Sequence, residues 1–242
     1  MKRGILYGIG IGPGDPELIT VKAARILARC KHVFVPKAPR GDESLALSIA
    51  KQHIPAACNI SMIEFPMTRD REELRKSWEA STQAIASLLS AGDNVCYLTL
   101  GDTLLYSTYI YMLKGLRTHL PHAQVVTVPG VTAYSAAAAL AGFPIGVGSD
   151  PVTIVPASDN FESIERALSL GGTVIVMKIG RKLGEVLKTL ETCGHIDDAI
   201  LVSRAGLAGE KIETDLRSLG LECPDAANLS VILVHASTEA IP

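Results

Sequence analysis

Paired cysteines are missing from this chain: its five, at positions 30, 58, 96, 193 and 223, are odd in number and never spaced C-x-x-C. A disulfide framework and a structural zinc site both need pairs, so neither organises the fold, and reduced thiols in the cytoplasm are the expectation. The histidines at 32, 53, 119, 122, 195 and 235 show no H-x-x-x-H spacing and no pairing with cysteine, which argues against a protein-bound metal. There is no G-x-S-x-G and no defensible Ser, His, Asp order, so hydrolysis by a nucleophile has no support. Excess charge is also lacking. With 23 Lys plus Arg against 25 Asp plus Glu, the net charge of −2 leaves no general footprint for nucleic acid or membrane. No apolar run is long enough to cross a bilayer. Met1-Lys2-Arg3 has the charge of a signal peptide without its apolar body, because glycines at 4, 8, 10, 12 and 14 interrupt it.

What is present is an ordinary globular balance, 48% apolar and 20% charged over 242 residues, enough for one large or two small domains. The pattern alternates. A strand over 3–11 is followed by two possible helix starts, Asp15-Pro16 and Thr20, of which Thr20 is favoured as the cap. Extended segments follow at 32–36, 60–65, 95–100 and 124–128, with helices near 43–53, 70–91 and 105–116 between them. This strand and helix alternation implies a largely parallel sheet in a first domain, 1–128. After Pro129-Gly130 the composition shifts to small residues. Strands at 152–155, 173–177, 199–203 and 229–235 then alternate with helices near 161–169 and 181–192, and a strand-like 209–214 suggests a hairpin in a mixed sheet. These form a second α/β domain, 129–242.

Glycine-bearing turns end three of the first domain's strands. They are Gly8-Ile9-Gly10-Ile11-Gly12-Pro13-Gly14-Asp15, then Gly101-Asp102-Thr103, then Val128-Pro129-Gly130-Val131-Thr132-Ala133. In open α/β sheets ligands sit beyond the carboxyl ends of strands, so three such turns suggest one ligand. The first begins like a dinucleotide fingerprint, but Pro13 stands where Gly or Ala opens the helix, and Asp15 brings negative charge where a pyrophosphate would approach. A nicotinamide-dependent oxidoreductase is the alternative from a different enzyme class. Asp102, at a tight strand-end turn, either accepts from a ligand's hydroxyls or amine or merely shapes the loop as an Asx-turn. Tyr106 to Tyr109 read as a helix opening, with Tyr106 within one turn of Asp102. Met177 closes an apolar strand and is either core or a ligand wall.

In order along the chain, GIGPGDPELIT, GDTLLYSTY, VPGVTAYSAAA, Val176-Met177-Lys178-Ile179-Gly180-Arg181 and Leu201-Val202-Ser203-Arg204-Ala205-Gly206 resemble the tetrapyrrole methylases. LGDTLLYSTY and MKIGR are most similar to the members that methylate C20 of precorrin-2 or cobalt-factor II in corrinoid biosynthesis. Thr103, where relatives often have proline, loosens the likeness to the uroporphyrinogen III C-methylases, which remain the alternative within the family along with diphthamide and ribosomal-RNA methylases. The resemblance implies a two-domain fold with S-adenosyl-L-methionine between the domains, S-adenosylhomocysteine as product, a tetrapyrrole substrate, and a homodimer. By position it implies that Pro13, Leu100, Gly101, Asp102, Leu105, Thr132, Ala133, Met177 and Ala205 bind the cofactor. Asp102 and Tyr106 are the candidate catalytic groups, with bound water a further acceptor for the proton lost from the methylated carbon. The carboxylate-edged substrate calls for a basic rim, with Lys178 and Arg204 first and Lys37, Arg40, Arg69, Arg71 and Arg181 behind them. Whether that substrate carries cobalt leaves no mark on the sequence.

Overall fold

The computed structural model describes residues 3–37, 44–64, 71–157, 161–219 and 229–236. The chain divides into two compact units, residues 1–132 and 133–242.

The first unit begins with β1 (Ile5–Gly10), whose apolar residues Leu6 and Ile9, on opposite faces of the strand, are both fully buried. Both expected helix starts are used. Asp15 Oδ1 accepts from the Glu17 amide at 2.8 Å and caps a single 3-10 turn, Pro16–Leu18; Thr20 then accepts from the Ala23 amide at 3.2 Å and starts α1 (Val21–Leu27). The chain continues through β2 (His32–Lys37), α2 (Leu45–Ala50), β3 (Asn59–Glu64), α3 (Arg71–Ala91), β4 (Val95–Thr99), α4 (Tyr109–His119) and β5 (Gln124–Val128). The five strands form one sheet in the order β3-β2-β4-β1-β5, and every pairing is parallel. β4 is buried at all five positions, as the central strand of a sheet covered on both faces must be.

One boundary moves by four residues. The helix expected from Leu105 begins at Tyr109, because Ser107 takes the place of a helical residue: its hydroxyl donates to the Thr103 carbonyl and accepts from the Tyr109 amide at 3.2 Å. Serine competes for nearby backbone groups in this way and favours a turn over helix. Tyr106 accordingly sits in a loop at φ +50°.

Tyr109 joins α4 to the sheet. Its ring is fully buried beside Tyr97, the ring centroids 5.9 Å apart, and its hydroxyl pairs with Thr127 Oγ1 of β5 at 2.9 Å. The Tyr97 hydroxyl pairs with Thr108 Oγ1 at 3.0 Å, and burial pushes its phenol up to about 12, so it remains a neutral hydrogen-bonding group. Space for the Tyr109 ring exists only because residue 8 has no side chain: a β-carbon there would stand 2.2 Å from Tyr109 Cζ.

The second unit opens with α5 (Ala133–Ala141), whose Ala136, Ala137 and Ala138 are buried. Then come β6 (Val152–Pro156), α6 (Glu162–Ser169), β7 (Thr173–Met177), a 3-10 turn at Gly180–Lys182, α7 (Leu183–Thr192), β8 (Ala199–Ser203), β9 (Lys211–Glu213) and β10 (Ser230–His235). Their order is β6-β7-β10-β8-β9, with β6 and β7 parallel and the other pairs antiparallel. β8 and β9 are the expected hairpin. The small side chains of α5 let its backbone approach β8 and β10 closely. Among the described residues no helix is long and apolar enough to cross a membrane.

Gly8→Ala should lower the stability of the protein by about 2 kcal/mol through overpacking against Tyr109, read as a lower urea midpoint. Tyr109→Leu added to that variant should recover part of the loss, as neighbours sharing one space are coupled. An unchanged midpoint for Gly8→Ala would mean that the ring moves aside freely.

Candidate active site

The carboxyl ends of β1, β4 and β5 meet backbone to backbone. The Gly101 amide donates to the Gly12 carbonyl at 2.7 Å and the Gly12 amide to the Gly101 carbonyl at 3.3 Å, while the Ile11 amide reaches the Thr99 carbonyl at 3.1 Å. A β-carbon on Gly10 would lie 2.6 Å from the Gly130 amide nitrogen, and one on Gly130 only 2.2 Å from the Gly101 carbonyl oxygen. Neither position admits a side chain. Gly12 and Gly101 adopt φ of +81° and +70°, where glycine is free and other residues are strained. Over Gly101 the space is open, since a β-carbon there would meet nothing within 4 Å. A ligand can therefore lie directly on this backbone.

Asp102 staples two of the turns together. Its Oδ1 accepts from the Leu104 amide at 2.8 Å, and its Oδ2 from the Gly130 amide at 3.0 Å. The loop-shaping Asx contact is thus present, extended by a second bond to the turn after β5. Each carboxylate oxygen keeps acceptor capacity beyond the one bond it makes, so a ligand donor can still be received. Thr103 is the part that sequence reasoning passed over: it is buried, its hydroxyl donates to the Val128 carbonyl at 3.4 Å, and its carbonyl takes the Ser107 hydroxyl. The substitution of proline at this position was its one visible signal.

Of the implied cofactor residues in the first unit, Pro13 is buried behind the Gly12–Gly101 bridge, and Leu100, Leu105 and Thr132 are half-buried around the three turns. The fold brings Gly101, Asp102 and the Gly130 turn that leads into Thr132 together. Tyr106 is partly exposed, and desolvation holds its hydroxyl above the ordinary phenol value, so it is protonated at neutral pH.

In the second unit, Ala133 starts α5. Met177 closes β7 half-buried, with its carbonyl accepting from the Ala157 amide at 2.7 Å. Lys178 follows it at φ +57°; its side chain reaches solvent but is shielded enough that desolvation lowers its ammonium below the usual lysine value. Ala205 is buried in the loop after β8, next to Arg204 at φ +55°. That arginine is anchored at home: its amide donates to the Leu229 carbonyl at 3.1 Å and its Nε to the Ala208 carbonyl at 2.7 Å. Of the further basic candidates, Lys37 closes β2, Arg181 is exposed in the turn before α7, and Arg40, Arg69 and the side chain of Arg71 lie outside the described residues.

Left-handed backbone at Tyr106, Lys178 and Arg204 was invisible in the sequence, because none of the three is a residue that favours it. Each costs on the order of 1 kcal/mol, and such strain gathers at functional sites. The chemistry of the turns also suits one kind of ligand over another. Asp15 and Glu17 sit at the 3-10 turn after Pro13, and α1 starts only at Val21, so the helix that follows β1 does not open directly on the Gly10 turn as the helix of a pyrophosphate cradle does. Bare backbone beside a carboxylate suits a neutral nucleoside on a cationic group instead.

Comparison with known proteins agrees with this chemistry. Residues 5–220 match the profile of the Tetrapyrrole (Corrin/Porphyrin) Methylases. The chain is 32% identical over 237 residues to the cobalt-precorrin-2 C(20)-methyltransferase of Salmonella typhimurium, covering 98% of each chain. It is 30% identical over 214 residues to the precorrin-2 C(20)-methyltransferase of a Sinorhizobium species, covering 83% of this chain and 84% of that one. A uroporphyrin-III C-methyltransferase from Thermus thermophilus, complexed with S-adenosylhomocysteine, shares the fold with a TM-score of 0.64 at 19% identity, over 96% of this chain and 97% of the other. A profile matched from β1 to beyond β9, on a parallel sheet whose three strand-end turns meet through glycine and one aspartate, leaves a single assignment: the chain belongs to the tetrapyrrole methylases.

Proposed function

We propose that the protein transfers a methyl group from S-adenosyl-L-methionine to the C20 meso carbon of precorrin-2 or of its cobalt-bearing counterpart, in corrinoid biosynthesis. The observation that carries this is the likeness, over 98% and 83% of the chain, to two C(20)-methyltransferases, one named for cobalt-precorrin-2 and one for precorrin-2. When bound, the cofactor supplies a methyl group already activated on a sulfonium. What remains for the chain is to bind, orient and exclude water, and positioning supplies most of the acceleration.

Gly101 lets a ligand lie on the backbone, Gly10 and Gly130 let the turns close against one another, and Asp102 both fixes that backbone and offers a charge opposite to a sulfonium or amine. Pro13, Leu100, Gly101, Leu105 and Thr132 in the first unit, and Ala133, Met177 and Ala205 in the second, are the other residues that the family resemblance proposes for the cofactor. Lys178 and Arg204 are the basic groups for substrate carboxylates, Lys178 through its partly desolvated ammonium and Arg204 through the guanidinium nitrogens beyond the Nε held by Ala208. Asp102 and Tyr106 are placed as catalytic groups that orient the reacting carbon, and the proton lost from C20 passes to Asp102 or to water, since Tyr106 is held protonated. The same reading makes the protein a cytoplasmic homodimer without nucleic-acid or membrane partners.

Incubation with methyl-labelled S-adenosylmethionine and either metal-free precorrin-2 or cobalt-factor II, kept anaerobic, should place one labelled methyl at C20 by NMR. Label at another carbon would overturn the regiochemistry and keep the family. Asp102→Ala should weaken S-adenosylhomocysteine binding about tenfold or more by calorimetry, because two backbone amides lose their acceptor and the turns separate. Asp102→Asn, which keeps one acceptor oxygen, should fall between; unchanged affinity in both would remove Asp102 from the site.

Lys178→Ala should raise the KM for the tetrapyrrole more than it alters cofactor affinity. The direction of its pKa sets a pH dependence. A lowered value means that the charge is lost earlier on raising the pH than for an ordinary lysine, so KM should climb on the alkaline side before lysines normally titrate. Lys178→Arg keeps its charge and should flatten that climb. An identical profile in both proteins would separate Lys178 from substrate binding.

A further inference from the structure

The turn Thr103–Ser107 is built to hold two apolar side chains out of the core. Thr103 and Ser107 are 1% and 6% exposed, each anchored by its hydroxyl, while Leu104 between them is 60% exposed and Tyr106 38% exposed. The Leu104 amide is itself bound to Asp102 Oδ1 at 2.8 Å, so the turn is tied down at its start, its middle and its end. Most of Leu104 and more than a third of Tyr106 are thus left available at the surface by a rigid turn.

Tyr106 is the more telling of the two. It stands at φ +50°, where a bulky residue is strained and glycine would cost nothing. A tyrosine kept at a position that suits glycine is kept for its side chain. It lies in the turn beyond the carboxyl end of β4, four residues after Asp102, with its side chain partly exposed. Partial desolvation keeps its hydroxyl neutral, so the surface it makes with Leu104 carries no charge.

We infer that Leu104 and Tyr106 form an apolar seat on which one face of the tetrapyrrole macrocycle lies, making this turn a determinant of which flat substrate is accepted. The inference rests on the proposed substrate class and adds the residues that read its planarity. The carboxylates at the edge of the ring find cations elsewhere; the seat meets only its π face, for which an aromatic ring and a leucine are suited by offset stacking and area burial. Its affinity contribution is therefore insensitive to salt, unlike that of a basic rim.

Uroporphyrin III, a flat fluorescent porphyrin edged with carboxylates, serves as a binding probe that needs no turnover. Tyr106→Gly should weaken its binding about tenfold, a loss in keeping with an aromatic face contact. Tyr106→Phe should stay within about twofold of the unaltered protein, and Leu104→Ala should fall between. Tyr106→Gly also relieves the strained φ, so its urea midpoint should hold or rise, which separates a lost contact from a damaged fold. Affinity for S-adenosylhomocysteine should be unchanged in all three. Porphyrin affinity retained by both Tyr106→Gly and Leu104→Ala would overturn the seat, as would a parallel fall in S-adenosylhomocysteine affinity, which would assign the turn to the cofactor. An unaltered protein that binds S-adenosylhomocysteine but neither binds the porphyrin nor methylates precorrin-2 would instead overturn the substrate class, and the seat with it.

Discussion

Three strand ends touch through their main chains, and the absence of β-carbons at Gly10 and Gly130 makes that possible. Backbone packed this tightly leaves its amides and carbonyls few places to go, and the Gly12–Gly101 pair and the Asp102 carboxylate account for those at the centre. The order of strands, the placement of α4 and the surface offered to a ligand all depend on this contact. It needs β1 between β4 and β5, which the parallel register provides.

The same contact supports the proposed cofactor, which carries no phosphate. Phosphate cradles are made by free amides at a helix N-terminus. Here the amides of Gly12, Gly101, Leu104 and Gly130 are already bound to protein acceptors, and the helix that follows β1 is displaced beyond a separate capped turn. What stays available is shape, one carboxylate, and apolar side chains on a fixed turn. Those are means for holding a cationic nucleoside and a flat hydrophobic ring, and they suit a reaction whose donor arrives already activated.

Much of the scaffold could be read from pattern. Thr20 and Asp15 were both visible as caps because their side-chain oxygens have local, sequence-near partners. The buried run at 95–99 and the alternation of strands and helices announced the parallel sheet, and Gly209–Thr214 announced the hairpin. Placement of the helix after β4 failed by four residues, since nothing in Leu105-Tyr106-Ser107 reveals that Ser107 will cap a turn against the distant support of Thr103 and Val128. The left-handed residues Tyr106, Lys178 and Arg204 were hidden for a related reason: their conformation is imposed by contacts such as the one from the Arg204 amide to Leu229, not by their own preference.

By itself the sequence determined the family, through motifs that stand in a fixed order, and it marked the strand-end turns, because glycine, proline and aspartate there carry steric and charge requirements that hold wherever the chain goes. Only the tertiary structure decided what those residues do to one another. That Asp102 bridges to a turn 28 residues away, that Gly8 is empty for the sake of Tyr109, and that Leu104 and Tyr106 face outward while Thr103 and Ser107 face in, are consequences of non-local packing. Local preference sets which conformations are cheap; long-range contact selects among them, and at this turn it selects a costly one.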